Sequence, residues 1–160
     1  MRAEFTVRSA VRADEAALGR FGGALMRQHH GFDARRFIQV DHPEAGYGRF
    51  LVSQIDAADS VVLVAEQDAV VLGYVYAGLE PMSWKELRAA CGFVHDIYVD
   101  PAARRRGVGE KLIRAAIEWL EAKGSPRVML WSAAPNLEAQ RLFERLGFRR
   151  TMVEMTRERT

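Results

Sequence analysis

The sequence has 160 residues, 49% of them apolar and 28% charged, with 13 glycines and 5 prolines, which fits one globular domain and leaves little room for two. A single cysteine, Cys91, excludes an intramolecular disulfide or a multi-thiolate metal site. No window approaches the roughly 18 uncharged apolar residues of a membrane span, and Met1 to Phe5 lacks the apolar stretch of a secretory signal, so a cytoplasmic chain is expected. Lys and Arg number 10 against 14 Asp and Glu in residues 1–100, but 13 against 7 in residues 101–160, so the C-terminal part suits an anionic ligand such as phosphate and the N-terminal part a cationic one.

In chain order, Glu4 to Arg8 reads as a first strand. A helix follows from about Asp14 to His30-Gly31, with Ala16, Ala17, Leu18, Phe21, Leu25 and Met26 at helical spacing. A second helical stretch is read from Gly48 to Ile55, after a loop marked by Pro43 and Gly46. Val61 to Glu66 and Val70 to Leu79 are rich in β-branched and aromatic residues, and Gln67-Asp68-Ala69 between them reads as the turn of an antiparallel hairpin. Pro81 to Ala90 is a loop or short helix before a strand from Cys91 to Val99, which Asp100-Pro101 closes because proline cannot donate to a ladder. A strong helix runs to about Lys123, with Val108, Leu112, Ile113, Ala116, Ile117 and Leu120 on one face and Gly124 at its C-cap. Arg127 to Trp131 is a compact strand, Asn136 to Leu146 an amphipathic helix stopped by Gly147, and Phe148 to Met155 a last strand. The order β-α-α-β-β-β-α-β-α-β, with no repeat or linker, makes residues 1–160 one α/β or α+β layered domain.

The most specific feature is the turn Arg104-Arg105-Arg106-Gly107-Val108-Gly109 between a strand and that strong helix. A helix N-terminus presents unsatisfied N–H groups and partial positive charge, glycines let backbone approach oxygens that a Cβ would exclude, and arginines add forked donors. Together they describe a pyrophosphate cradle. The NTPase phosphate loop and the dinucleotide fingerprint do not match, because Glu110, Lys111 and Leu112 follow Gly109. The arginine run is short and Phe93, Tyr98 and Trp131 form no stacking motif, so nucleic acid is not an expected partner.

The turn follows His95-Asp96-Ile97-Tyr98-Val99-Asp100-Pro101 and precedes Asn136-x-x-Ala139-x-x-Leu142-Phe143-x-x-x-Gly147-Phe148. From Phe93 to Phe148 this pattern resembles the GCN5-related N-acetyltransferase (GNAT) family. The resemblance implies a GNAT-like mixed, mostly antiparallel sheet flanked by helices, and acetyl-coenzyme A as cosubstrate. It implies that Arg104, Arg105, Arg106, Gly107, Val108 and Gly109 hold the pyrophosphate by backbone amides. Ile97 and Val99 would pair with the pantetheine arm through an exposed strand edge, while Asn136 and Ala139 line its other side. Core packing for Ile97 and Val99, and a plain helix cap for Asn136, remain open beside those roles.

An amine attacks only when neutral, so a proton acceptor is needed. His95 is the first candidate and Asp96 the second, and period-two alternation places them on opposite faces. Glu80 is a further possibility, and a partly buried, satisfied histidine is the competing reading of His95. The family's usual acid for the departing thiolate is a tyrosine where this sequence has Phe143, with Tyr98 as a substitute; Phe143 would pack on the pantetheine instead. A thiol with pKa about 8.5 leaves near neutral pH at a cost of roughly 2 kcal/mol, so a strong acid is dispensable. Cys91 in an apolar strand reads as core and not as a nucleophile, and no metal cluster is visible. The acceptor, an amine-bearing small molecule or peptide, would meet residues 20–60 and the 80–90 loop, where Glu80, Trp84, Tyr47, Phe32 and Asp33 could form an aromatic and acidic pocket. The rival expectation is a silent acyl-coenzyme A-binding module. An exposed sheet edge would also permit a homodimer.

Overall fold

The computed structural model describes residues 4–160; Met1 to Ala3, part of the segment read as lacking an apolar leader, lie outside the described residues. Five strands form one sheet in sequence order: β1 (Thr6–Ser9), β2 (Ser60–Gln67), β3 (Val70–Glu80), β4 (Cys91–Val99) and β5 (Val128–Leu130). The first four are antiparallel neighbours, and β5 runs parallel to β4. Four helices cover the sheet: α1 (Glu15–Phe32), α2 (Glu44–Ile55), α3 (Val108–Ala122) and α4 (Leu137–Arg145). Among the described residues no helix is long and apolar enough to cross a membrane.

Alternation along the strands divides the core in two. Val62, Val64, Tyr74 and Tyr98 face Leu18, Phe21 and Leu25 of α1 and Leu51 of α2. Val61, Leu63, Ala65, Val75, Ala77 and Val94 face Leu112, Ile113, Ala116 and Leu120 of α3, with Phe143 of α4 closing that layer. The hairpin turn is a two-residue loop with Gln67 opposite Val70 and both central residues, Asp68 and Ala69, at positive φ (51° and 62°), the twist that joins antiparallel strands most directly. Cys91 is buried, as a core residue should be.

Two sequence expectations are corrected. Helix α2 begins at Glu44, not Gly48, because Pro43 sits at its N-cap with its carbonyl accepting from Tyr47 N–H (2.8 Å), so a residue that breaks helix interiors here starts one. The last strand, Phe148 to Met155, does not form: residues 149–160 are exposed and outside the sheet. The segment is tied instead to the α1–α2 connection, where Glu154 pairs with Arg36 (2.9 Å at Nη2) and Glu158 approaches Arg35 (3.9 Å).

Candidate active site

The sheet opens beside its fourth strand. Strand β5 pairs with β4 only through Gly92, Phe93 and Val94, and beyond Val94 that side of β4 carries no neighbour among the described residues. The cause lies in register: Tyr76 of β3 is opposite Asp96 and Ala77 opposite Val94, so His95 is an extra residue, a β-bulge that sharpens twist and bends the strand away. Past the bulge, Asp100 N–H donates to the Leu72 carbonyl (2.8 Å), and alternation then turns Ile97 and Val99 backbone groups toward the opening. Their side chains pack on the α3 layer, so backbone and side chain have separate roles.

At the far end of this opening α3 starts without a side-chain cap. Its first intrahelical bond runs from Lys111 N–H to the Gly107 carbonyl (3.0 Å), leaving the amides of Gly107, Val108, Gly109 and Glu110 without helical acceptors. Gly107 is left-handed (φ 82°) and Arg105 also has positive φ (60°), a bend that curls successive amides around a concavity. A Cβ on Gly109 would lie 3.5 Å from Leu142 Cδ2 and 3.6 Å from Val99 Cγ2, so this residue sits where β4, α3 and α4 meet. Arg104 Nε donates to the Val99 carbonyl (3.1 Å) and its guanidinium lies 5.5 Å from the Tyr98 ring centre, while Arg106 donates to Gln67. Arg105 is exposed and has no ion-pair partner among the described residues. These features fit a diphosphate: helix-start amides without helical acceptors and an exposed arginine beside them.

On the other side of the opening, facing α1 and α2, stand the proton-transfer candidates. The His95 ring lies between Tyr76 (centroids 4.9 Å apart, 30°) and Phe93 (5.0 Å, 25°), and its Nε2 is 3.0 Å from Glu80 Oε1. Asp96 Oδ2 accepts from Tyr47 Oη (2.7 Å) and Tyr74 Oη (2.9 Å). Tyr74 and Tyr76 are two apart on one strand and share a face, so His95 and Asp96 share it too; the expectation of opposite faces fails because the bulge breaks period two at that step. Burial pushes the Asp96 carboxyl above the ordinary carboxylate range, although the two hydroxyl donors pull it back. Burial and the adjacent carboxylate likewise raise Tyr47 and Tyr74, which therefore stay protonated donors. Tyr47 reaches Asp96 because Gly22 of α1 has no side chain: a Cβ there would overlap the tyrosine ring.

The remaining candidates are dispersed. Tyr98 packs its ring on Phe21 (5.7 Å), on the α1 side. Asn136 caps α4, its Oδ1 accepting from Ala139 N–H (3.3 Å). Phe143 is 6% exposed and its ring meets Phe148 at 6.0 Å, inside the α3 layer. Trp84 stands exposed on the β3–β4 loop, where it lines an open cleft together with Glu80, while His95 is not part of that lining. Sequence reading missed Tyr74 and Tyr76; their i, i+2 spacing on a predicted strand was the available signal. No group of three His, Cys, Asp or Glu among the described residues could hold a metal ion.

Known proteins resemble this chain in sequence and in fold. An uncharacterized N-acetyltransferase of Bacillus subtilis, YhfO, is 26% identical over 144 residues, covering 89% of this chain and 88% of that protein. A mycothiol acetyltransferase of Kocuria rhizophila is 34% identical over 131 residues, covering 77% of this chain, which spans only 42% of that protein's length. The crystal structure of the aminoglycoside N-acetyltransferase AAC(6')-Iy in complex with CoA superposes with a TM-score of 0.77 over 100% of this chain and 98% of that one, at 21% identity, a likeness of fold. The model of the acetyltransferase (GNAT) family matches residues 24–148, from within α1 through the opened sheet to the end of α4, and the chain belongs to that family.

Proposed function

We propose that the chain moves an acetyl group from acetyl-coenzyme A directly to a primary amine of a small molecule or peptide. The observation that carries this reading is the line formed by the uncapped α3 N-terminus, the unpaired β4 edge and the His95–Glu80 pair. The amides from Gly107 to Glu110 and the guanidinium of Arg105 would hold the pyrophosphate, and the backbone of Ile97 and Val99 would hold the pantetheine amides as a strand holds its neighbour. Asn136 and Ala139 would flank that arm.

His95 would take the ammonium proton, and the Glu80 carboxylate beside Nε2 would stabilise the imidazolium so formed. The freed nitrogen pair attacks the thioester carbon; a C–N bond forms, the nitrogen gives up its second proton to water, the C–S bond breaks, and the thiolate leaves with the sulfur electrons. N–H groups of the open β4 edge face the developing oxyanion. Phe143 brings no hydroxyl, so the thiolate takes its proton from solvent, at the modest cost set by a thiol pKa of about 8.5. Asp96, sealed by two tyrosines, holds the bulge rather than exchanging protons.

The buried, hydroxyl-free Phe143 favours one other reading, a module that binds acyl-coenzyme A without turnover. Calorimetry with coenzyme A followed by acceptor-dependent thiol release across an amine panel separates the two. Binding with release is the expected result; binding without release selects the module, and no binding removes both. The outer edge of β5, unpaired among the described residues, supports a homodimer joined there. Light scattering on the full chain should return twice the 18.0 kDa chain mass, and a monomer at micromolar concentration would refute it.

A further inference from the structure

Six rings form an unbroken series across the α1–α2 side of the opening. Tyr47 and Phe50 lie 6.1 Å apart, Phe50 and Tyr76 5.7 Å, Tyr76 and His95 4.9 Å, His95 and Phe93 5.0 Å, and Phe93 and Trp131 5.2 Å. The central three, Tyr76, His95 and Phe93, are nearly parallel. Phe50 and Trp131 stand almost perpendicular to their neighbours in that trio (86° and 84°), as walls on either side of the imidazole. Both walls are open to solvent, Phe50 by 46% and Trp131 by 70%. Apolar rings exposed on two sides of a proton acceptor leave surface that a flat apolar body would cover.

Charge on the same side is sparse. Glu80 pairs with His95. Asp96 is occupied by Tyr47 and Tyr74, Glu44 by Arg27, and Asp33 by the backbone amides of Arg35 and Arg36. Glu80, paired with the imidazole amid these aromatic walls, matches one positive charge on an aromatic body better than the several of a polycation.

We propose that the acceptor is an arylalkylamine, a small molecule whose single amine is joined by a short chain to an aromatic ring, with the amine at His95 and Glu80 and the ring against Phe50 or Trp131. This rests on the acetyl-transfer reading above. The test compares kcat/KM for β-phenethylamine, n-propylamine, spermidine and kanamycin, together with calorimetric binding of β-phenethylamine to the coenzyme A-loaded protein. β-Phenethylamine should exceed n-propylamine and spermidine by about tenfold or more, the scale of one aromatic contact. Phe50→Ala and Trp131→Ala, both at exposed positions that should not disturb folding, should together narrow that preference by about tenfold through KM, with n-propylamine little affected.

Turnover that favours spermidine or kanamycin, or variants that slow every amine equally, overturns the arylalkylamine assignment while leaving acetyl transfer intact. Binding of β-phenethylamine weakened by both variants, without thiol release from any amine, supports the aromatic site and overturns transfer. Absence of both binding and release overturns both.

Discussion

His95→Ala is expected to lower kcat by about two to three orders of magnitude, the usual contribution of a positioned proton acceptor, while coenzyme A binding is retained. The imidazole meets no element of the diphosphate cradle; its contacts are Tyr76, Phe93 and Glu80. Its ring is held on two faces, so substitution removes the acceptor without freeing a mobile segment. Glu80→Gln keeps the shape and removes the charge that steadies the imidazolium, and should cost up to about fivefold, in line with one exposed charge pair. Steady-state rates at saturating acetyl-coenzyme A, with affinity measured separately, read both effects. An unchanged kcat in His95→Ala would take the proton-transfer role away from this residue, and a large loss in Asp96→Asn alongside it would hand that role to Asp96.

Asp96→Ala should destabilise the fold by about 2–3 kcal/mol, because the Tyr74 hydroxyl lies in a fully buried side chain and would lose its acceptor, as would that of Tyr47. At this chain length the melting temperature should fall by roughly 5–10 °C. Asp96→Asn retains an oxygen that both hydroxyls can donate to, and should behave quite differently. Burial raises the carboxyl in the folded chain, so its ionised form is disfavoured by folding. The favourable contribution of the wild-type group is therefore complete below the ordinary carboxylate value, and it declines as pH rises through the raised folded value. Relative to Asp96→Asn, the wild type should lose stability across that window and then level off. Denaturant unfolding at a series of pH values measures the difference, and a flat difference would show that the carboxylate is not penalised by its surroundings.

The parts of the site that were legible in sequence are those written in consecutive residues. The arginine and glycine turn, the strand before it and the helix after it are contiguous, and each carries its own chemical signature, so the anion cradle could be read directly from Arg104 to Gly109. Asn136 was legible for the same reason, since a cap is local. What escaped is set by pairing between distant strands. Nothing in Val94-His95-Asp96 announces that β3 skips a residue there, so alternation predicted the wrong face for one of the pair. Tyr47 meets Asp96 only because Gly22 of α1 leaves room for its ring, and Tyr74 meets it through the shifted pairing of β3 with β4. Pro43 misled in the opposite direction, being a helix starter read as a loop marker, and residues 148–155 have strand-forming composition but pair with no strand.

The surplus residue in the fourth strand has a consequence for how this chemistry is inherited. On the proposed mechanism a substitution at position 95 would change which group meets the amine, but loss of one residue there would let the two strands run in step again and turn the Ile97 and Val99 amides away from the opening. The catalytic arrangement is thus stored partly as a count rather than as a letter. An insertion or deletion within these few residues should be harsher than any single exchange among them.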